Sequence, residues 1–533
     1  MPVAKSQEIP VNVVGASAFG RYPKISFEKT YNMHVSDGWL VNYSGYQKKL
    51  DILNKGQGRG LFQSIRGKFL IAVAGSGVYQ ILPSLAVKFI GSLSTSTDEV
   101  SIDENLAHQI CIVDGEAAYI VHYDKDTLAA TLTKQALYVN NDILQPLITP
   151  NYVSYHNSFF LISSVPGTFA SQQWYTFVFN TDTTIKYQDA FAIQTKPDNA
   201  VAIKRIPGRG NNILVLGEAV SELWTQVGGT ENYRRAQSIN IDKGCISTST
   251  IASNDSFICW LAVNENNSPS IMLFDGNSVS ELSTDGIDYL LQTIKRPDIS
   301  TGFFFRQDGV LFYQVTFFDS QDNLTLFYSF EAKKFFHASD ENLNFHPARQ
   351  VVYFNETTYF ISLRDASLYE MSTDYVTYNY NLNPYLRGEE IPRIRICKTI
   401  RTENSERFRV GQFTFWIEQG IKDKFQNSQP ITIQAMMISE LGDQIVTESG
   451  DLLITEGLTS NTSVILPRVD MSFSKDGNQT FSNVVSRPLN PVGYHRNQIR
   501  WARLGQANEF TIQLRFLGLQ RFCVYDGTVQ VVL

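Results

Sequence analysis

Residues 68–81 read KFLIAVAGSGVYQI. The apolar run Phe69 to Ala74 is followed by a Gly-Ser-Gly break and a second short run that carries Tyr79. Runs this short, bounded by turn residues, read as strands of a hairpin. The same succession of strand, polar turn and aromatic strand recurs down the chain. It appears as HQICIVDGEAAYIV (108–121), NSFFLISS…WYTFVF (157–179) and NNILVLGEAVSELW (211–224). It continues as SFICWLAV…SIMLFDG (256–276), GVLFYQVTFF…LTLFYSF (309–330) and TTYFISLRDASLYEM (357–371). The aromatic ends fall near Tyr79, Tyr119, Phe177, Trp224, Phe274, Phe327 and Tyr369, about 40 to 60 residues apart.

A repeat of that length with all-β content predicts a β-propeller. One small sheet cannot bury both faces alone, whereas a ring of them gives every face a partner and leaves short, protected edges. A pair of β-sandwiches is the other arrangement open to so many strands. The expected fold is therefore all-β: a six- or seven-bladed propeller over residues 55–380, then a β-rich, sandwich-like domain over 385–533. Residues 1–54 supply strands that either complete the last blade or pack on the C-terminal domain. The tract DYVTYNYNLNPYLRGEE (374–390) is the expected junction. Helical spacing is clear only from Gly286 to Arg296, at Ile287, Leu290, Leu291 and Ile294.

The C-terminal part has its own character. A basic strand pair, IPRIRICKTIRT and RFRVGQFTFWIEQ, is followed by a polar repeat, VTESGDLLITEGL (446–458), and then GYHRNQIRWARLGQ (493–506). Residues 385–533 hold 17 Lys/Arg against 15 Asp/Glu, while residues 1–384 hold 28 against 37, within an overall charge of −7. Neither part has the basic excess of a dedicated nucleic-acid binder. The cysteines Cys111, Cys245, Cys259, Cys397 and Cys523 are odd in number and never at metal-ligand spacing, which fits buried free thiols in a reducing cytoplasm. The seven His form no HxxxH or HExxH, so no metal site is expected. The first residues lack a signal-peptide pattern, and no stretch approaches the roughly 18 apolar residues of a membrane helix.

Three features invite a chemical reading. The glycine clusters GQGRG (56–60) and PGRGN (207–211) lack the GxxxxGK[ST] frame and read as turns. SFSKDGNQTF (472–481) places Ser474, Asp476, Thr480 and Phe481 as in the Asp-box turn of sialidases and other propellers, with Asn478 where Gly is usual. Such enzymes repeat the box in several blades; here it stands once and outside the repeats, so Ser474, Asp476, Asn478 and Thr480 read as a structural turn. Arg496, Arg500 and Arg503 beside Trp501 suit a solvated strand face, a protein interface or nucleic-acid backbone contact. No Ser/His/Asp or Cys/His grouping assembles locally, and no catalytic residue is expected.

Taken together, three stretches resemble the packaged-DNA stabilisation proteins, or tail hubs, of short-tailed bacteriophages. The first is FEKTYNM (27–33) with GRGLF (58–62) and KFLIAVAGSGVYQI. The second is GEAVSELWTQVGG (217–229) with YRRAQSINIDKGCISTSTI (233–251), continuing to DGNSVSELSTDGIDYLLQTI (275–294), where Ser283 and Thr284 lead into one helix. The third is DMSFSKDGNQTFS (470–482) with VGYHRNQIRWARLG (492–505); Asn478 and Phe481 depart from the family's Gly and Trp. The resemblance implies a virion tail protein, assembled in the host cytoplasm, that closes the portal–adaptor channel, retains packaged DNA and forms the conduit, or nozzle, for its ejection. It implies a homo-oligomer, typically a hexameric ring, with an adaptor protein, a needle or plug, and spikes or fibres as partners, and DNA passing through the lumen unread. It implies no enzyme activity and no cofactor. A receptor- or glycan-binding propeller of a tail fibre is the alternative, and a propeller glycoside hydrolase a third.

Within that reading, like-charged propellers repel, so ring closure is expected through the mixed-sign C-terminal domain. The candidate assembly residues are Arg393, Arg395, Arg401, Arg407, Arg409, Arg496, Arg500, Trp501 and Arg503; Arg387 and Lys398 belong to the same basic run.

Overall fold

The computed structural model describes residues 6–20, 28–52, 56–138, 147–168, 170–228, 232–264, 266, 268–384, 388–402, 406–419, 435–436, 454–455, 467–489, 496–518 and 521–532. Most of the polar repeat 446–458, together with Phe27 and Arg387, lies outside these residues.

Seven antiparallel blades follow one another at 58–92, 101–138, 150–192, 200–241, 252–281, 300–338 and 348–372. The seven aromatic residues that mark the repeat all sit on the third strand of their blade. Between each pair of neighbouring blades lies an apolar core, seven in all, and the last joins blade seven back to blade one. This explains the run in Phe69–Ala74. Phe69, Ile71 and Val73 pack against blade two, while Leu70, Ala72 and Ala74 pack against blade seven. Both faces of the strand are buried, so no polar residue alternates. Each fully buried Ile or Leu contributes about 1.5–3 kcal/mol.

The ring closes through a distant segment. Blade seven takes its fourth strand, Gly45–Leu50, from the N-terminal region, antiparallel to Leu368–Ser372. The innermost strands of blades one and seven meet where Leu61 N donates to Gln350 Oε1 at 2.6 Å. Gly58 and Gly60 are not in a turn, as their sequence suggested, but in the innermost strand Gly58–Ser64, with a bulge between them. A Cβ on Gly58 would stand 2.4 Å from Ser362 O, and one on Gly60 2.5 Å from Val100 Cγ2. The glycines let neighbouring blades approach. PGRGN does form the turn before Asn212–Gly217, with Gly208 at φ 70°.

The α-helix Asp285–Thr293 follows blade five and buries Ile287 and Leu291 against blades five and six. No helix among the described residues is long and apolar enough to cross a membrane.

The second unit is a β-sandwich. One sheet runs Met33–Ser36, Trp39–Asn42, Phe522–Val532, Phe408–Gln419 and Arg496–Ala507, with Ser6–Val11 also on Phe522–Val532. The other runs Lys29–Tyr31, Arg393–Ile396, Glu509–Leu517, Arg468–Ser474 and Val485–Pro488. Phe408, Phe413, Phe415, Trp501, Phe510 and Phe516 fill the space between them. The N-terminal region thus divides between both units. Lys29–Tyr31 bridges them, pairing with Arg393–Ile396 on one side and, at Tyr31 and His337, with the outer strand of blade six on the other.

Candidate assembly interface

The predicted interface residues separate into buried and exposed sets. Arg393, Arg395 and Trp501 are core residues, not surface ones. Arg393–Ile396 lies where the sandwich meets the propeller, so its arginines as well as its isoleucines are covered. Arg395 donates to the carbonyls of Asn12 (2.8 Å), Val13 (3.0 Å) and Ala16 (2.9 Å), to Thr30 Oγ1 (3.2 Å) and to Glu28 Oε2 (2.6 Å). It ties the N-terminal segment to the sandwich with the five donors of one planar fork. Arg393 lies over the Phe522 ring, 5.8 Å from its centroid. Trp501 stacks on Phe413 and Phe415, and its indole N–H donates to Val485 O at 3.0 Å.

The exposed set is Arg401, Arg407, Arg409, Arg496, Arg500 and Arg503. Arg401 pairs with Glu509 at 3.1 Å near the Asp-box-like turn. Arg496, Arg500 and Arg503 lie on Arg496–Ala507, the edge strand of its sheet among the described residues. Its alternation places Ile499 and Trp501 inward and Arg496, Gln498 and Arg500 outward. Arg503, at φ 62°, sits in the bulge that interrupts pairing with Val410 and Gln412. Arg496 rests over Trp416 and Tyr525. Beside this strand runs the edge of the other sheet, Val485–Pro488, with Arg487 Nε donating to Arg500 O at 3.1 Å.

In the turn Ser474–Thr480, Asp476 Oδ1 accepts from Ser474 Oγ (2.7 Å), Gln479 N (3.1 Å) and Thr480 N (3.0 Å), and Oδ2 from Thr480 Oγ1 (2.5 Å). Asn478 N donates to Ser474 Oγ at 3.0 Å, and Gly477 and Asn478 both take φ 69°. Asn replaces Gly here because it tolerates the left-handed region. The Thr480 and Ser474 hydroxyls and backbone donors hold the exposed Asp476 carboxyl far below the usual range. Every partner of Asp476 belongs to the turn itself, which caps a strand end.

Other motifs also resolve into structural roles. Buried Glu222, from GEAVSELW, accepts from the N–H groups of Gln194 (2.9 Å) and Thr195 (2.6 Å) and from Trp224 Nε1 (3.0 Å). Asn32, from the first stretch, donates to Ser339 Oγ at 2.9 Å and Pro392 O at 3.0 Å, spanning the two units. Arg59 holds Asp98 O (2.6 Å), Gly75 O (3.0 Å) and Thr95 O (2.8 Å), fixing the connection into blade two. Cys111, Cys245, Cys259 and Cys397 are buried free thiols, Cys523 is half-buried, and burial raises the pKa of each.

A feature absent from the sequence reading is a funnel of about 850 Å³ at one mouth of the propeller, where the chain passes from one blade to the next. Asp98, Asp114, Glu218, Asp298 and Asp319 line it, with Arg349 at its wall facing Glu99 at 3.6 Å. Burial raises the Glu99 pKa against the pull of Arg349. These residues come from connections scattered between 98 and 350, which no local pattern could gather. No group of three or more His, Cys, Asp or Glu among the described residues is placed to hold a metal ion.

Comparison with known proteins gives one family. The phage stabilisation family, described as Bacteriophage P22 Gp10, beta-propeller, matches residues 20–372. No curated protein matches. Among solved structures, a streptogramin B lyase is 10% identical, with 61% of this chain and 97% of that one covered at TM-score 0.40. A virginiamycin B lyase from Staphylococcus aureus is 9% identical, with 62% and 99% covered at TM-score 0.38. The N-terminal domain of Nup159 is 9% identical, with 64% and 98% covered at TM-score 0.37. Likenesses this slight say nothing of activity.

Proposed function

The chain belongs to the phage stabilisation family described as Bacteriophage P22 Gp10, beta-propeller, and from that premise we propose that it is the tail hub that seals the portal–adaptor channel. Membership makes it a structural protein of the phage particle that stabilises packaged DNA. The finer reading places it in the tail, as a homo-oligomeric ring whose lumen becomes the ejection conduit, built without enzymatic chemistry or cofactor. The adaptor, needle or plug, and spikes or fibres are its partners in this reading.

The family match carries the proposal, and the architecture supports it. A hub must withstand the pressure of packaged DNA without opening, and this chain closes its propeller and its sandwich with the same N-terminal segment. Separating the units would break the pairing of Tyr31 with His337 and the Asn32 bonds to Ser339 and Pro392. The acidic lining of the funnel suits a neighbour of DNA that must not hold phosphates, since each neutralised phosphate adds salt-dependent affinity.

The test is to produce particles with and without the chain and challenge them with nuclease. Particles lacking it are expected to package DNA and then lose it, and adding the purified chain should restore protection. Full retention of DNA by particles lacking the chain overturns the proposal.

A further inference from the structure

The sandwich edge and the propeller mouth carry opposite charge on one molecule. Arg487, Arg496, Arg500 and Arg503 stand exposed on two adjoining edge strands, Val485–Pro488 and Arg496–Ala507, and neither strand contains an acidic residue. None of the four is ion-paired among the described residues. Val484 and Val485 are exposed beside them, at 59% and 39%. The outer side of Arg496–Ala507 meets no strand among the described residues. Apart from Arg500 O, which Arg487 occupies, its outer backbone donors and acceptors meet no strand among the described residues, and its arginines admit only a partner that matches their charge.

The mouth is the complement. Asp98 and Glu218 are exposed at its rim, and Asp319 is half-exposed. The positive groups at the mouth are already engaged: Arg296 with Asp298 at 2.7 Å, Arg349 with Glu99, and Lys204 donating to Tyr152 Oη at 3.2 Å. The free charge of the rim is therefore negative.

We propose that subunits associate head to tail, with the arginine-bearing sandwich edge of one copy seated on the acidic propeller mouth of the next. This rests on the hub reading above and specifies how the ring is joined. Two different patches meet, so the contact is heterologous and repeats around a ring rather than ending at a dimer. Opposite potentials steer the encounter and fix the register, and like charges exclude wrong pairings. A second copy, rather than DNA, is the occupant of the edge, because the same chain presents the matching acidic surface and a conduit works best without tight phosphate contacts.

The experiment uses the full chain and two exposed charge reversals. Arg500→Glu with Arg503→Glu reverses the edge, and Asp98→Lys with Glu218→Lys reverses the mouth. Each pair should keep the wild-type circular dichroism and melting temperature. Native mass at low salt should show a closed ring for wild type and a shift to monomer for either reversal. The chain carrying both reversals should recover the ring. A wild-type chain that is monomeric, a reversal that leaves the ring intact, or a combined variant that stays monomeric overturns the proposal. A duplex-DNA mobility shift lost on edge reversal while the ring persists would assign the edge to nucleic acid and likewise overturn it. Incorporation into particles separates the two levels. An edge-reversed chain incorporated at the wild-type level overturns the contact and leaves the hub reading standing. A wild-type chain missing from purified particles overturns the hub reading itself.

Discussion

Replacing Arg395 with alanine removes a guanidinium with 0% of its side chain exposed, from between Glu28 and the carbonyls of Asn12, Val13 and Ala16. The cost follows from what is stranded. Glu28, only 13% exposed, would lose its ion partner 2.6 Å away. Breaking a buried pair from one side costs about 3–5 kcal/mol. The three carbonyls would add about 1–3 kcal/mol each if dry. The vacated space admits water to them, so the ion-pair figure dominates and a loss of about 4 kcal/mol is expected, a large share of the roughly 5–15 kcal/mol that holds a folded protein. Arg395→Lys keeps the charge but not the fork, and about half that loss is expected. Urea titration followed by circular dichroism measures both, with limited proteolysis reporting release of residues 12–16. A double-mutant cycle with Glu28→Gln isolates the pair. A loss below about 1 kcal/mol for Arg395→Ala, or equal behaviour of the Ala and Lys variants, would refute the assignment of this arginine as the tie between N-terminal segment and sandwich.

Burial holds His34, His337 and His346 at pKa values of about 3, well under their ordinary 6.5, so each is neutral when folded and takes up a proton on unfolding. Stability should therefore fall as pH drops from 6.5 towards 3, by up to about 4 kcal/mol per pH unit for three protons. Flat stability between pH 6.5 and 5 would contradict this. In Gly45→Ala the new Cβ would meet Tyr375 O at 2.4 Å and Thr377 O at 2.5 Å, so a loss of about 1–3 kcal/mol from disturbed closure of blade seven is expected by thermal melt. An unchanged melting temperature would show that closure tolerates the methyl. A chain cut after Asn381 keeps Ser6–Val11 and Met33–Asn42 without their sandwich partners and should aggregate, whereas residues 43–381 should give a soluble monomer with an all-β spectrum. Equal solubility of the two fragments would show that those strands need no partner. Asp476→Ala should speed amide exchange at Gln479 and Thr480 through loss of their common acceptor; unchanged exchange would assign the turn's order to its backbone alone.

The seven hairpins were legible because each carries its pattern within a few dozen residues. The helix was legible from the spacing of Ile287 and Leu291. The strand Gly45–Leu50 was harder to place: GYQKKL has no blade signature, and its partner begins at Leu368. Arg393 and Arg395 read as assembly-interface residues because they belong to a basic run and alternate with Ile394 and Ile396. A strand covered on both sides hides that alternation, and the carbonyls that hold Arg395 come from residues 12–16, far away in sequence. Trp501 reads together with its neighbour Arg500 as an interface residue, yet neighbouring residues on a strand face opposite ways, which puts Trp501 inward. The funnel left no mark in the sequence, because its lining is gathered from several connections between blades that lie far apart along the chain.

The pairing of Ser6 with Val532 and of Gly45–Leu50 with blade seven sets the order in which this protein matures on the ribosome. Synthesis at roughly 5–20 residues per second separates Ser6 from Val532 by about half a minute to two minutes, and Gly45–Leu50 from Leu368–Ser372 by about a quarter of a minute to one minute. Throughout that interval the early strands wait with unpaired backbone while the blades stack one by one. The segment that could bind a neighbouring nascent chain is thus made first and satisfied last. Such non-local pairing folds slowly, so a chain that has not passed Ser372 has no closed propeller and one that has not passed Phe522 has no filled sandwich core. The propeller has all its strands once Ser372 is made, whereas the sandwich waits for Phe522–Val532, so a truncated chain lacks the sandwich surface it would offer to the growing particle.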